Sequence, residues 1–139
     1  MIFGTVYGLV GLLGFVPSLL QLPPADPPSL VVGTNYGYLL GMFPVNVLHN
    51  LVHIATGVIG IISASALGSA RLYSRAIAIV FGVLAIAGLA PGLNTTLGLI
   101  PLFGADVALH GLTTLVSGYF GWFAGDARLP RTRAATARG

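Results

Sequence analysis

The sequence predicts an all-α integral membrane protein: a four-transmembrane-helix bundle from two parallel two-helix repeats, with an interfacial or re-entrant segment between helices 1 and 2. Three observations predict it. Only 6% of residues are charged and 55% are hydrophobic. Soluble domains carry about 25% charged residues, so this chain has too little charge to coat a water-facing surface. Second, residues 45–67, VNVLHNLVHIATGVIGIISASAL, form an apolar run long enough for a bilayer span, which takes about 20 residues. Third, the pattern of that run returns sixty-one positions later. His110 matches His49, Leu112 matches Leu51, Ser117 matches Thr56, Gly118 matches Gly57 and Gly121 matches Gly60.

Residues 2–22 make the first span. Gly4, Gly8, Gly11 and Gly14 recur on one helical face, and such faces let backbones approach closely in lipid. No basic stretch precedes the run, so it is read as a retained helix and not a cleaved signal, with Pro17 bending or fraying its outer end. PPADPP, at 23–28, cannot be regular helix and marks the first outer loop. Residues 30–43 are apolar but too short to span, and Gly33, Gly37 and Gly41 interrupt them. Tyr36 and Tyr38 suit the headgroup level, hence the interfacial or re-entrant assignment. Pro44 falls where a helix start tolerates proline. The second helix then runs to a polar link, GSARLYSR, at 68–75.

The third run covers 76–90, with Ala78, Gly82 and Ala85 as its small face. At 1.5 Å per residue it falls short of a hydrocarbon core of about 30 Å. The helix must therefore begin earlier, near Leu72, or continue beyond Pro91 and Gly92. The fourth helix starts near Asp106 and ends at Gly125, with Tyr119, Trp122 and Phe123 as an aromatic girdle. The domain division is 1–125 for the membrane bundle and 126–139 for a basic cytoplasmic tail.

All six cations are arginines: Arg71, Arg75, Arg128, Arg131, Arg133 and Arg138. They fall in the 68–75 link and the tail. Positive-inside then places both termini in the cytoplasm. GFVP at 14–17 parallels GLAP at 88–91, so each half reads as two helices with a cytoplasmic start and end. Repeats of like orientation are related by an axis along the membrane normal. The expected packing glycines are Gly8, Gly11, Gly57, Gly60, Gly82, Gly118 and Gly121.

FPVNVLHNLVHIATGVIGI, together with FGADVALHGLTTLVSGYFGW in the second half, resembles the bacterial membrane proteins of domain of unknown function 4383. The most specific part is N-x-x-H-N-x-x-H-x-x-x-G, met by Asn46, His49, Asn50, His53 and Gly57. Asp106 ahead of His110 matches the family's shorter second motif. The resemblance covers roughly residues 3–122. It implies four helices in the bacterial cytoplasmic (inner) membrane and implies no activity.

The chemistry-bearing residues are few. The chain has no cysteine, which excludes disulfides, thiolate metal sites and thiol nucleophiles. The basic balance is a topology signal with no aromatic-interleaved face for nucleic acid. His49 and His53 stand one helical turn apart, the spacing that helical HExxH zinc sites use, but no glutamate accompanies them, so a protease is excluded. Asp106 and His110 repeat the spacing. If the halves pack as the repeat suggests, three imidazoles and one carboxylate converge near the outer surface. Such ligands suit Zn, Fe, Mn or Cu. A haem or pigment is an alternative. So is a structural cluster, with Asp106 as an N-cap and neutral imidazoles bonding between helices. Two function classes follow. One is a small non-enzymatic membrane protein without cofactor, acting by association as an accessory subunit of a larger complex or as a homo-oligomer. The other is a metal- or haem-binding membrane protein built on the His/Asp cluster.

Overall fold

Residues 1–124 are described by a computed structural model; the arginine-rich stretch expected as a tail lies outside them. Among the described residues four α-helices carry most of the chain: α1 (Ile2–Leu13), α2 (Val47–Ser63), α3 (Leu67–Leu89) and α4 (Ala105–Gly118), the last continuing into a π-helical turn at Tyr119–Phe123. α1 packs chiefly on α2, and α3 on α4. Both pairs are antiparallel. Gly4 faces Gly57 and Gly60 while Gly11 faces Asn50 and Ile54; Gly88 meets Leu102 and Val107 while Gly121 meets Arg75.

The first helix is shorter than its apolar run. It closes at Leu13, and a 3-10 turn at Pro17–Leu19 follows, because Pro17 has no N–H to continue the helical ladder. The chain then enters strand β1 (Leu20–Gln21). Within the 30–43 segment assigned as interfacial or re-entrant, residues 37–39 and 43 are strand and the rest is loop or turn. β2 (Gly37–Leu39) pairs antiparallel with β1, and β3 (Phe43–Val45) pairs antiparallel with β2. Leu40 and Gly41, both at positive φ, turn the β2–β3 hairpin, the conformation that matches strand twist. Pro44 therefore sits in β3, opposite Tyr38, and not in the first turn of a helix.

α2 begins at Val47 because Asn46 caps it: the Asn46 Oδ1 accepts from the His49 N–H at 2.9 Å. The polar link expected at 68–75 is helical. α3 starts at Leu67 and reaches 23 residues; of the two ways to gain the required length it takes the earlier start, ahead even of Leu72, and does not continue past Pro91. Ser69 Oγ donates to the carbonyls of Ser63 and Ala66, which secures the turn into α3. α3 is long and apolar enough to cross a membrane; α1 and α2 are shorter apolar helices.

The two long connections meet at one end of the bundle. Val31 and Val32 N–H groups donate to the Gly98 carbonyl, and Val47 N–H to that of Thr34. Asn46 Nδ2 donates to Val32 O at 2.9 Å and to Leu99 O at 2.7 Å. One buried side chain thus starts α2 and binds both loops over it.

Polarity is distributed inside out. Asn46, His49, Asn50, His53, Asp106 and His110 are buried, whereas Leu51, Ile62, Ile79, Val83, Ile86 and Leu115 are exposed. Water-soluble domains bury the second kind and expose the first.

Candidate metal centre

The site grows from two helix starts. The Asn46 cap sets the rotation of α2, and from there His49 and His53 fall one above the other, as residues four apart do. On α4 the cap is Gly104, whose φ of 68 lets the chain turn into the helix. Asp106 is therefore free of the capping duty one reading assigned to it. It lies in the first turn and shares a face with His110.

These faces meet. His49 Nε2 and His53 Nε2 are 2.9 Å apart. Asp106 Oδ2 lies 3.5 Å from His110 Nε2 and 4.0 Å from His49 Nε2. One ligand nitrogen from each histidine falls within 4.8 Å of the other two. All four side chains are buried, none above 3% exposed. Four ligands at about 2.0–2.1 Å around a tetrahedral ion stand about 3.3–3.4 Å from one another, and the observed separations bracket that edge. The three histidines and the aspartate singled out in the sequence are thus brought together.

Hydrogen bonding within the cluster is incomplete. Asp106 Oδ2, His49 Nδ1 and His110 Nδ1 are buried without a hydrogen-bond partner. Pro44 and Pro101, which have no N–H, bring their carbonyls near the His49 ring, although neither makes a hydrogen bond to it. Leaving a buried polar group unpaired costs about 1–3 kcal/mol, so an acceptor oxygen facing the imidazoles of His49 and His110 is short of a positive partner. A bound cation would supply one.

The chemistry of the set is narrow. Three imidazoles and one carboxylate suit zinc, cobalt, iron, manganese or cupric ions. Cu(I) prefers sulfur, and both methionines, Met1 and Met42, are exposed. Haem fits poorly: an axial imidazole needs a flat porphyrin face against its Nε2, whereas His49 and His53 present theirs to each other.

Around the rings stands an aromatic layer. Tyr7 meets His53 edge-on at 5.1 Å and Phe81 meets His110 edge-on at 4.8 Å. Tyr7 Oη and Thr113 Oγ1 share a hydrogen bond of 2.5 Å. Tyr7 was missed in the sequence, although its place between Gly4 and Gly11 on the glycine face was the available signal. Of the packing glycines, a methyl at Gly11, Gly57 or Gly60 would collide with a neighbour and one at Gly121 would press on Arg75. Gly82 comes close to Thr114, while Gly8 and Gly118 have room for a methyl.

The family model described as Domain of unknown function (DUF4383) matches residues 1–123. The chain belongs to this family. No curated protein and no solved structure matches it. For this DUF4383 protein the site is accordingly built from its own geometry.

Proposed function

We propose that this protein is a multi-pass protein of a bacterial cytoplasmic membrane that holds one divalent transition-metal ion in a buried His3Asp centre near the outer surface. The membrane part is supported by the inside-out polarity and by α3, whose most apolar stretch is only 22% buried. A soluble-core helix of that composition would hide most of its surface. The one-sided arginines support cytoplasmic termini. The pairing of α1 with α2 and of α3 with α4, each pair bringing one histidine-bearing helix, supports two parallel repeats.

One observation carries the metal reading: the buried, unpartnered Asp106 oxygen faces the imidazoles of His49 and His110 at ligand-to-ligand distances. Four protein ligands leave no open position, and such closed sites hold an ion where catalytic zinc sites keep a place for water. The centre is therefore one that holds an ion and is not hydrolytic. The test is elemental analysis of protein purified in mild detergent and incubated with Zn²⁺ or Co²⁺. The expected stoichiometry is about one ion per chain for a closed four-ligand site, and His110→Ala should lose it. Wild-type protein that retains no ion after desalting overturns the reading.

A further inference from the structure

The bundle end opposite the loop cap is hollow. A cavity of about 470 Å³ opens between the starts of α1 and α3 and the ends of α2 and α4, with Gly4, Gly60, Ala64 and Val116 in its wall. Phe3 and Tyr73, which pack on the buried cluster of Tyr7, Ile77 and Phe81, form its floor. Met1, Ile2, Leu67 and Phe120 belong to the wall and are exposed as well, so the cavity opens through an apolar rim. Ligand sites are concave, mostly apolar and about 300–1,000 Å³ in volume. Interiors otherwise leave few voids larger than a water molecule, so a space of this size calls for an occupant.

The walls narrow its chemistry. A buried water needs about two to four polar partners, and the hydroxyls here donate elsewhere: Tyr73 Oη to the Thr56 carbonyl at 3.1 Å and Ser74 Oγ to that of Ala70 at 2.9 Å. A sugar or nucleotide would bury its polar groups without partners. The occupant is therefore mainly apolar. One charge gives it a direction. Arg71 is the only charged side chain among the wall residues, half-buried and donating to the Ala124 carbonyl at 3.0 Å. A guanidinium has several N–H donors in a planar fork that suits phosphate, so it can hold an anion beside its protein contacts. α3 begins next to it with no capping side chain on Ala66 and no acid in its first turn, which turns a positive helix end toward the same place. Among the described residues both arginines, Arg71 and Arg75, lie at this end of the bundle, and both carboxylates, Asp26 and Asp106, belong to the other. Asp126 lies outside the described residues.

We infer that the cavity takes one acyl chain of an anionic phospholipid from the cytoplasmic leaflet, with the lipid phosphate on Arg71. This rests on the membrane orientation proposed above, in which this end is cytoplasmic. The rim runs on into exposed apolar side chains such as Ile62 and Leu72, so the bilayer itself supplies the chain sideways. Basic pockets between helices on the cytoplasmic side are where anionic headgroups bind.

A phosphatidylglycerol with a diazirine at the end of one acyl chain tests the site. The protein is reconstituted in phosphatidylcholine nanodiscs with the probe as a minor component, irradiated and digested, and the adducts are mapped. Adducts are expected on the cavity floor, at Phe3 or Tyr73. The same diazirine carried on phosphatidylcholine should label the floor on the order of fivefold less, the preference one arginine gives, and Arg71→Gln should bring the two probes level. Ala64→Phe, which fills the cavity, should reduce floor labelling by both. Should either variant fail to fold, the map and the ratio of the two probes on the wild type decide alone. Equal labelling by the two headgroups overturns the proposal, as does floor labelling that neither folded variant changes. So does label confined to Ile79, Val83 and Ile86 on the exposed face of α3. Floor labelling cleared by excess palmitate but not by excess unlabelled phosphatidylglycerol assigns the cavity to a free fatty acid and overturns the phospholipid. Protein that enters no bilayer and takes no label from either probe refutes the membrane reading instead.

Discussion

Gly57→Ala should break the contact between α1 and α2, whereas Gly8→Ala, on the opposite side of the same contact, should leave it standing. A methyl carbon at Gly57 would lie 2.5 Å from the Cα and N of Gly8 and 2.8 Å from the Gly4 carbonyl. All three are backbone atoms with no rotamer to yield. Carbon atoms settle at about 3.5–4.0 Å, so the helices must part by about 1 Å or more. A methyl at Gly8 instead finds its nearest neighbour, the Gly57 Cα, at 3.8 Å, an ordinary contact. Overpacking costs about 1–3 kcal/mol, and Gly57→Ala should fall at the upper end because the clash involves two backbones. Gly8→Ala should fall within about 1 kcal/mol of wild type, on the stabilising side, since alanine outranks glycine in helices by about that amount. SDS titration in mixed micelles, followed by circular dichroism, measures both. Equal losses, or none in either variant, would refute the packing argument.

Further outcomes follow from single side chains. Asn46→Ala removes a helix cap worth about 0.5–2 kcal/mol and strips two loop carbonyls of their donor, so it should destabilise by about 2–4 kcal/mol in the same titration. Asn46→Asp keeps the cap acceptor but sets a carboxylate oxygen against the Val32 and Leu99 carbonyls in a buried place, so its loss should equal or exceed that of Asn46→Ala; tolerance of both changes would show that the cap is not a fastening. Ser117→Ala should be neutral or stabilising by up to about 1 kcal/mol, because its hydroxyl is buried with no partner to lose; a loss of stability would reveal a partner. Single cysteines at Ala25 and Ala66 should react with an impermeant reagent from opposite faces of the membrane, the second from the cytoplasmic side. Reaction from one face only would overturn the proposed topology.

The helices and the histidine cluster were legible in the sequence because they rest on local spacing. His49 and His53, like Asp106 and His110, are four apart, and that number alone puts each pair on one face. The sheet was not legible. Its strands are two or three residues long, too short for alternation to register, and β2 pairs with β1 and β3 only because the Pro-rich loop and the Leu40–Gly41 turn return the chain to them. The early start of α3 was hidden by Ser69, Arg71 and Ser74, whose polarity reads as a loop but is tolerated where Ser69 and Ser74 bond to nearby backbone carbonyls. Asn46 caps α2; its second duty, binding carbonyls 14 and 53 positions away, leaves no local trace. The same holds for Tyr7 and Thr113, which meet across 106 positions.

The central claim is that three imidazoles and one carboxylate close around a single ion, and X-ray absorption of the Co²⁺- or Zn²⁺-loaded protein counts those ligands directly. A four-coordinate ion with ligands at about 2.0–2.1 Å and multiple scattering from three imidazole rings is expected, reduced by one ring in His53→Ala. A six-coordinate shell of oxygens without imidazole scattering, or a spectrum unchanged by His53→Ala, would contradict it.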